Sequence, residues 1–491
     1  MSLKQQVVKG VSWNIFEQIA RQCISIGITV VLARILSPKD YGLVALSAVF
    51  TGFIWLFGNL AMGSAIIQRK EINDDYLSTS FWTSVASAVV LYLVLCAIAP
   101  FAADYYNQPL LKSIIMVSGI GLLISPLYVI HKSLLTKDLA FGKLAIMQTV
   151  NAMVSSGASL IIALLGFGVW SLVLGSLVSG ILYVPALWYM VKWRPKAVFK
   201  RDCFRDLFGF SSYLLAFNTF NYFARNFDNL IIGKFLGAGV LGIYSIAYEW
   251  MMKPLKQISW SLTRVMFPAF STIQDDLVRV RSAVLKMVSV ISFITFPMMT
   301  GLLMVAPELI LVVLGPKWEG VIVPLQLLCL IGALQSIGTI VGSIFNSQGR
   351  SDLQFKTGVV TSIGHVVGFL IGIRWGLTGL IKAYICTNLI FFFYNQHYVN
   401  RLIGLDMPTF LKPMRMPALN SLIMGLLLLA YRYLNDSLLH MNQILFLVSS
   451  VCLGVLSYIA SNLIFLGKEE FGEYKDMIYQ RLKLKSAATS N

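Results

Sequence analysis

From Leu144 to Val191 the chain carries no Asp, Glu, Lys or Arg, and a second uncharged run extends from Tyr76 to Ala103. The hydrocarbon core of a bilayer is about 30 Å thick, and a helix needs about 20 apolar residues to cross it. The 144–191 run is too long for one crossing. Gly166-Phe167-Gly168 in its middle is the natural place to break it into a tight hairpin. Composition agrees: 57% of residues are apolar, 12% are charged and the mean hydropathy is +0.75. Soluble domains carry about 25% charged and 45–50% apolar residues. A soluble enzyme, a disordered chain and a secreted disulfide scaffold are excluded. The fold class read from the sequence is all-α, a polytopic integral membrane protein of about fourteen transmembrane helices.

The expected spans are 11–36, 41–67, 78–103, 111–134, 143–165, 168–191, 211–236, 241–266, 284–307, 320–345, 353–375, 376–400, 416–434 and 442–466. The thirteenth is the weakest, short and with Arg415 and Arg432 at its ends. The N-terminal residues have no compact apolar core followed by a small-residue cleavage site, so no cleavable signal is expected there.

The net charge is +17. With the N-terminus and every even-numbered connection assigned to one side, that side holds 27 of the 39 Lys and Arg residues and the other side holds 7. Cytoplasmic loops of membrane proteins carry such an excess. Both termini are therefore expected in the cytoplasm, and the basic loops read as a topology signal rather than a nucleic-acid surface. The outer connections leave no room for a separate domain. In the tail, Phe471, Tyr474, Ile478 and Leu482 recur at helical spacing between lysines and suggest an interfacial amphipathic helix. The six cysteines (Cys23, Cys96, Cys203, Cys329, Cys386 and Cys452) form no CxxC pair and read as small buried hydrophobes.

The segment Leu36-Ser37-Pro38-Lys39-Asp40-Tyr41-Gly42-Leu43-Val44-Ala45-Leu46 resembles Leu236-Gly237-Ala238-Gly239-Val240-Leu241-Gly242-Ile243-Tyr244-Ser245-Ile246, and Gly168-Val169-Trp170-Ser171-Leu172-Val173 resembles Gly376-Leu377-Thr378-Gly379-Leu380-Ile381. Spans 1–6 thus read as duplicated in spans 7–12, with the same orientation, as in parallel-repeat transporters. The organisation expected is an N-lobe at 1–191, a basic cytoplasmic linker at 192–210, a C-lobe at 211–400, two extra spans at 401–466 and a cytoplasmic tail at 467–491.

Five basic residues fall inside spans: Arg21, Arg225, Lys253, Lys256 and Lys382. A basic residue at a helix centre costs about 2.5–3.5 kcal/mol on insertion scales, so deep ones face water, a partner or a substrate. At 1.5 Å per residue, Arg21, Arg225, Lys253 and Lys256 lie roughly 15–22 Å into their spans, whereas Lys382 is near enough to an end to snorkel. Polar stripes surround them. Span 1 carries Asn14, Glu17, Gln18, Arg21 and Ser25; span 7 carries Asn218, Asn221, Arg225, Asp228 and Asn229; span 8 carries Ser245, Glu249, Lys253, Lys256 and Ser259. Steps of 3 and 4 put each stripe on one helix face. Glu17–Arg21, Glu249–Lys253 and Arg225–Asp228 have the spacing of ion pairs. Two readings stand: structural glue between helices, or the lining of a central cavity, net positive and suited to an anion. His365 reads either as a satisfied interhelical histidine or as a proton-coupling site. HExxH, GxSxG and P-loop motifs are all missing, so neither an enzyme nor an ATP-driven pump is expected, and no cofactor or metal.

Together these residues carry a resemblance. The chain resembles the polysaccharide transporters of the multidrug/oligosaccharidyl-lipid/polysaccharide exporter superfamily, and among them the Wzx-type flippases of the branch with colanic-acid and teichuronic-acid exporters. The motifs are Leu36 to Gly42, Ala65-Ile66-Ile67-Gln68-Arg69, Gly168 to Val173, Trp193-Arg194-Pro195, Arg225-Asn226-Phe227-Asp228-Asn229, Leu241-Gly242-Ile243-Tyr244, Phe267-Pro268-Ala269-Phe270-Ser271, Gly315-Pro316-Lys317-Trp318 and Gly349-Arg350-Ser351-Asp352. The resemblance implies two six-helix lobes around a V-shaped cavity and alternating access. The cargo it implies is an undecaprenyl-pyrophosphate-linked oligosaccharide, moved across the bacterial inner membrane for surface polysaccharide biosynthesis. Membrane lipids and a polysaccharide polymerase or export machinery are the further partners implied. Lipid-flipping relatives place basic residues on helices 1 and 8, matching Arg21, Lys253 and Lys256. The coupling ion, H+ or Na+, is not fixed by the resemblance. Alternatives are a multidrug or cation antiporter of the same superfamily, which calls for a net acidic cavity, and a membrane-embedded glycan polymerase or ligase, which calls for a catalytic outer loop. A scaffold in a polysaccharide assembly complex is a further one.

Overall fold

The computed structural model describes residues 24–58, 73–202 and 212–465, with Gln18, Arg21, Gln22 and Ile66 in addition; at 56–58, 212–221 and 257–269 it describes the backbone alone. Asn14, Glu17, the Ala65 to Arg69 motif apart from Ile66, and the tail with its expected amphipathic helix lie outside the described residues. All regular structure within them is helical. In chain order the helices are α1 (Ile24–Ile35), α2 (Pro38–Gly58), α3 (Asp74–Tyr106), α4 (Pro109–Ile124), α5 (Pro126–Lys137), α6 (Phe141–Leu164) and α7 (Trp170–Met190). They continue with α8 (Ser212–Phe235), α9 (Gly237–Thr272), α10 (Leu277–Leu309), α11 (Ile322–Ser347), α12 (Ser351–Gly372), α13 (Gly376–Ile403), α14 (Met407–Leu434) and α15 (Gln443–Phe465). Each expected span meets a helix. Eight helical stretches, or nine counting the bent pair α4–α5 as one, are long and apolar enough to cross a membrane. One of the eight, Ser351–Ile403, has 53 residues. At 1.5 Å per residue that is far longer than one crossing, and Gly376 at φ 72° turns it into the pair α12 and α13.

Local chemistry places the ends. Asn73 caps α3, its side chain accepting from the Tyr76 amide at 3.0 Å, with Asp74 and Asp75 in the first turn where the helix dipole favours negative charge. Gly166 (φ 84°) and Gly168 (φ 53°) make the hairpin between α6 and α7, at the break the sequence marked. Gly168 and Gly376 are repeat equivalents, and both turn the chain between neighbouring antiparallel helices. Two ends depart from the sequence reading. Span 4 is bent by 45° between α4 and α5, because Pro126 cannot donate a helical hydrogen bond. Span 13 begins earlier than expected, at Met407, because Asp406 accepts from the Thr409 amide at 3.0 Å and starts the helix there.

By packing, the chain falls into two compact units, 1–242 and 243–491. The lobes of the sequence reading divide the chain by repeat, the units by contact, and the two divisions differ. In the first unit, Ile28 and Leu32 of α1, with Leu36 just beyond its end, pack against Ala163 of α6. The Trp193-Arg194-Pro195 segment folds back beneath α7: Arg194 donates to the carbonyls of Trp188, Val191 and Trp193, which a helix end leaves unpaired. The linker that follows is strapped to α3. Lys196 pairs with Asp74 at 2.6 Å and Lys200 with Asp75, while Trp82 donates to the Lys196 carbonyl at 2.8 Å. Asp74 accordingly raises the Lys196 ammonium above its usual range.

The first repeat pair meets itself. A Cβ on Gly42 would overlap the carbonyl oxygen of Ala238, and a Cβ on Gly242 would overlap that of Pro38. Each glycine thus faces the partner residue four positions earlier in the equivalent segment, a local twofold relation between the starts of α2 and α9. Only a missing side chain lets two backbones approach so closely. In the second unit α10 packs against α11, α14 and α15, and α12 against α13. Of the cysteines, Cys329 is buried, but Cys386 and Cys452 are exposed on helix surfaces, correcting the expectation that all are buried; an apolar solvent accepts a thiol as readily as a core does.

Candidate functional site

The candidate residues divide between the two units. Arg21 and Arg225 belong to the first, Glu249, Lys253 and Lys256 to the second.

Arg21 lies two helical turns before Ile28, on the stripe that α1 turns toward α6. Its Nη1 donates to Gln148 Oε1 of α6 at 3.2 Å, and its side chain is exposed, as is Gln18. Arg21 and Gln148 both lie fifteen residues before the cluster that joins Leu36 to Ala163, so α1 and α6 run in the same direction. Gln148 was not singled out in the sequence, although an amide inside the uncharged 144–191 run was a signal for it.

On α8, Tyr222 Oη donates toward the carbonyls of Ala48 (3.1 Å) and Val49 (2.9 Å) of α2, and Phe53 packs on Phe223 with ring centroids 4.6 Å apart. These contacts fix α8 and leave Arg225 exposed beside them. Asp228 is buried and accepts from the Asn229 amide at 2.8 Å. The described ion pairs do not join Arg225 to Asp228. Asn221 lies on α8, with its side chain outside the description.

Helix α9 divides its faces. Tyr244, Ala247, Met251 and Leu255 recur at steps of 3, 4 and 4 and are buried. Met251 packs at Gly332 of α11, where a Cβ would come within 2.6 Å of Met299 Sδ and 3.0 Å of Met251 Sδ. At 100° per residue, Ser245, Glu249, Lys253 and Lys256 therefore occupy the opposite side. Lys253 Nζ lies 3.4 Å from Glu249 Oε1, an ion pair at the expected spacing. It also lies 4.7 Å from the centroid of the Trp250 ring and makes no hydrogen bond among the described residues. The Lys253 side chain is 16% exposed, that of Glu249 46%. Trp250 Nε1 is buried and likewise without a hydrogen bond there. Pro254 cannot donate to the Trp250 carbonyl, which puts a weak point in α9 at the same level. Lys256, one turn on, is exposed. Trp250 was not singled out in the sequence; its position three residues before Lys253 makes the contact possible without fixing it.

His365 Nδ1 lies 2.9 Å from Thr387 Oγ1, linking α12 to α13, with Phe369, Tyr384 and Phe391 around its ring. This is the geometry of an interhelical histidine. No group of His, Cys, Asp or Glu that could hold a metal ion occurs among the described residues.

The family model described as "polysaccharide biosynthesis protein" matches residues 31–323, more than half of the chain. The chain belongs to this family. It is 28% identical over 393 residues to the lipopolysaccharide biosynthesis protein WzxC of Escherichia coli K12, covering 79% of this chain and 80% of that one. It is 27% identical over 409 residues to the teichuronic acid biosynthesis protein TuaB of Bacillus subtilis 168, covering 78% and 84%. Among solved structures, the lipid II flippase MurJ in an inward closed conformation matches 95% of this chain and 100% of its own, with a TM-score of 0.73 at 18% identity. An inward-facing multidrug resistance transporter of the MATE family matches 78% and 95%, with a TM-score of 0.59 at 14% identity. At these identities the structures establish the fold alone, that of a multi-pass all-α membrane protein.

Proposed function

We propose that the chain is a flippase that carries lipid-linked oligosaccharide units across the bacterial inner membrane by alternating access, for the assembly of a surface polysaccharide. Undecaprenyl pyrophosphate is the lipid carrier in this reading. The termini face the cytoplasm, fourteen helices cross the membrane, and coupling is to an ion, H+ or Na+. Similarity to WzxC, a lipopolysaccharide biosynthesis protein, and the MurJ-like fold support the substrate class.

The observation that carries the site is Lys253. An ammonium in a low-dielectric setting without an acceptor is costly unless something binds it. Among the described residues its ion-pair partner is a half-exposed carboxylate at 3.4 Å. A pyrophosphate, with several charged oxygens, satisfies such a donor better than one carboxylate does. In this reading Arg21 and Arg225 in the first unit and Lys256 in the second are further basic residues for an anionic substrate, each taken within its own unit. Asn14, Glu17, Gln18, Asn221, Asp228 and Glu249 hold or balance them. Net positive charge on the α9 stripe argues against the cation antiporter.

The test is deletion of the gene followed by quantification of lipid-linked repeat units in each leaflet. Units accumulating in the inner leaflet, and cleared on re-expression, support the proposal. An unchanged distribution together with normal surface polysaccharide contradicts it.

A further inference from the structure

We propose that Trp250 is a positioning residue for the anion site: its indole face supports the Lys253 ammonium while Glu249 is exchanged for the anionic headgroup. The inference rests on the reading of Lys253 as a headgroup ligand.

The geometry gives Lys253 Nζ two supports of different kinds. One is the Glu249 carboxylate at 3.4 Å, the other the Trp250 ring at 4.7 Å to its centroid. A carboxylate and an incoming phosphate compete for the same N–H donors, so the carboxylate has to leave as the anion arrives. A ring face does not compete. It attracts the cation through its quadrupole and takes up no donor in a directional bond. The carboxylate is also the more accessible partner, with 46% of its side chain exposed, whereas the indole is tucked in with its Nε1 shielded from solvent. Without the ring, the four-carbon lysine stem would be free to follow Glu249 or to snorkel away along α9. With it, the ammonium stays on the polar side of α9 in both the empty and the loaded state, its N–H groups directed to whichever anion is present. The far face of the helix packs through Met251 against Gly332 of α11, away from the ring and the ammonium.

The experiment measures binding of undecaprenyl pyrophosphate to the purified full-length chain in nanodiscs, for the wild type and for Trp250→Phe, Trp250→Leu, Lys253→Gln and the Trp250→Leu/Lys253→Gln pair. A cation–π contact contributes about 0.5–2 kcal/mol, which corresponds to about a 2- to 30-fold change in affinity. Phe at 250 keeps a ring face and is expected within about twofold of wild type, while Leu loses about 2- to 30-fold and in any case more than Phe. The double variant is expected to bind no more weakly than Lys253→Gln, because Trp250 acts through Lys253. If Leu at 250 fails to fold, a series of progressively fluorinated phenylalanines at 250 replaces it. Affinity should fall stepwise as fluorine withdraws charge from the ring at constant shape. Affinity indifferent to Leu or to fluorination, a Phe variant as weak as Leu, or losses that add in the double variant each overturn the positioning role while leaving Lys253 in place. Lys253→Gln with wild-type affinity overturns both this inference and the reading of the site.

Discussion

At the scale of single residues, the Glu249–Lys253 ion pair on α9 separates pairing from binding. Glu249→Gln leaves a partly buried ammonium with less compensation, and an unsatisfied buried group costs about 1–3 kcal/mol. We expect a lower Tm for that variant, read on the purified protein. The Glu249→Gln/Lys253→Gln pair recovers the Tm, because no lone charge remains, yet stays inactive in export at matched membrane levels. Restored export in the pair would remove Lys253 from the substrate path. The same cycle applies to Glu17 and Arg21: export is expected to stay lost in Arg21→Gln whether or not Glu17→Gln accompanies it. Gln148 adds an independent handle. Its bond to Arg21 is exposed, so Gln148→Leu should leave the Tm almost unchanged while weakening export through the orientation of Arg21.

At the scale of helices, the crossing of α2 and α9 gives the sharpest steric prediction. Gly42→Ala and Gly242→Ala each push a methyl group into a backbone carbonyl of the facing segment. Overpacking of this kind costs about 1–3 kcal/mol. The two variants should lower the Tm by similar amounts, because the contact is reciprocal. Gly239→Ala, with open space around it and an ordinary backbone, is the matched control and should be silent. A difference between the two glycines as large as the effect itself would deny the local twofold. This contact also shows what was legible in advance. The repeat was visible as two similar segments, but nothing in either segment says that they touch each other. Similarly, Gly166-Phe167-Gly168 announced its hairpin because an uncharged run of that length must turn. The bend at Pro126 passed unseen inside span 4, since hydropathy averages over a broken helix as smoothly as over a straight one. The start of α14 was missed for the opposite reason: Lys412 and Arg415 argue against a membrane helix, while the cap at Asp406 acts on the backbone regardless of hydropathy. The α9 stripe was legible through its period, which also set the Glu249–Lys253 pair. Trp250 was not, because a ring beneath a cation depends on rotamers and not on spacing alone.

At the scale of the molecule, topology and transport are the quantities to measure. The distribution of 27 basic residues on one side against 7 on the other expects a cysteine placed at Arg201 to label from the cytoplasm and one at Lys317 from outside. Labelling of both from the same side would remove the fourteen-span arrangement, whatever the fold of each unit. The most direct test of the whole account is reconstitution of the purified chain in proteoliposomes loaded with a labelled undecaprenyl-pyrophosphoryl oligosaccharide, with the fraction of headgroups reaching the opposite leaflet followed in time. The account predicts translocation by the wild type and its loss in Lys253→Gln at equal protein content. Equal rates in wild type, Lys253→Gln and protein-free vesicles would contradict it.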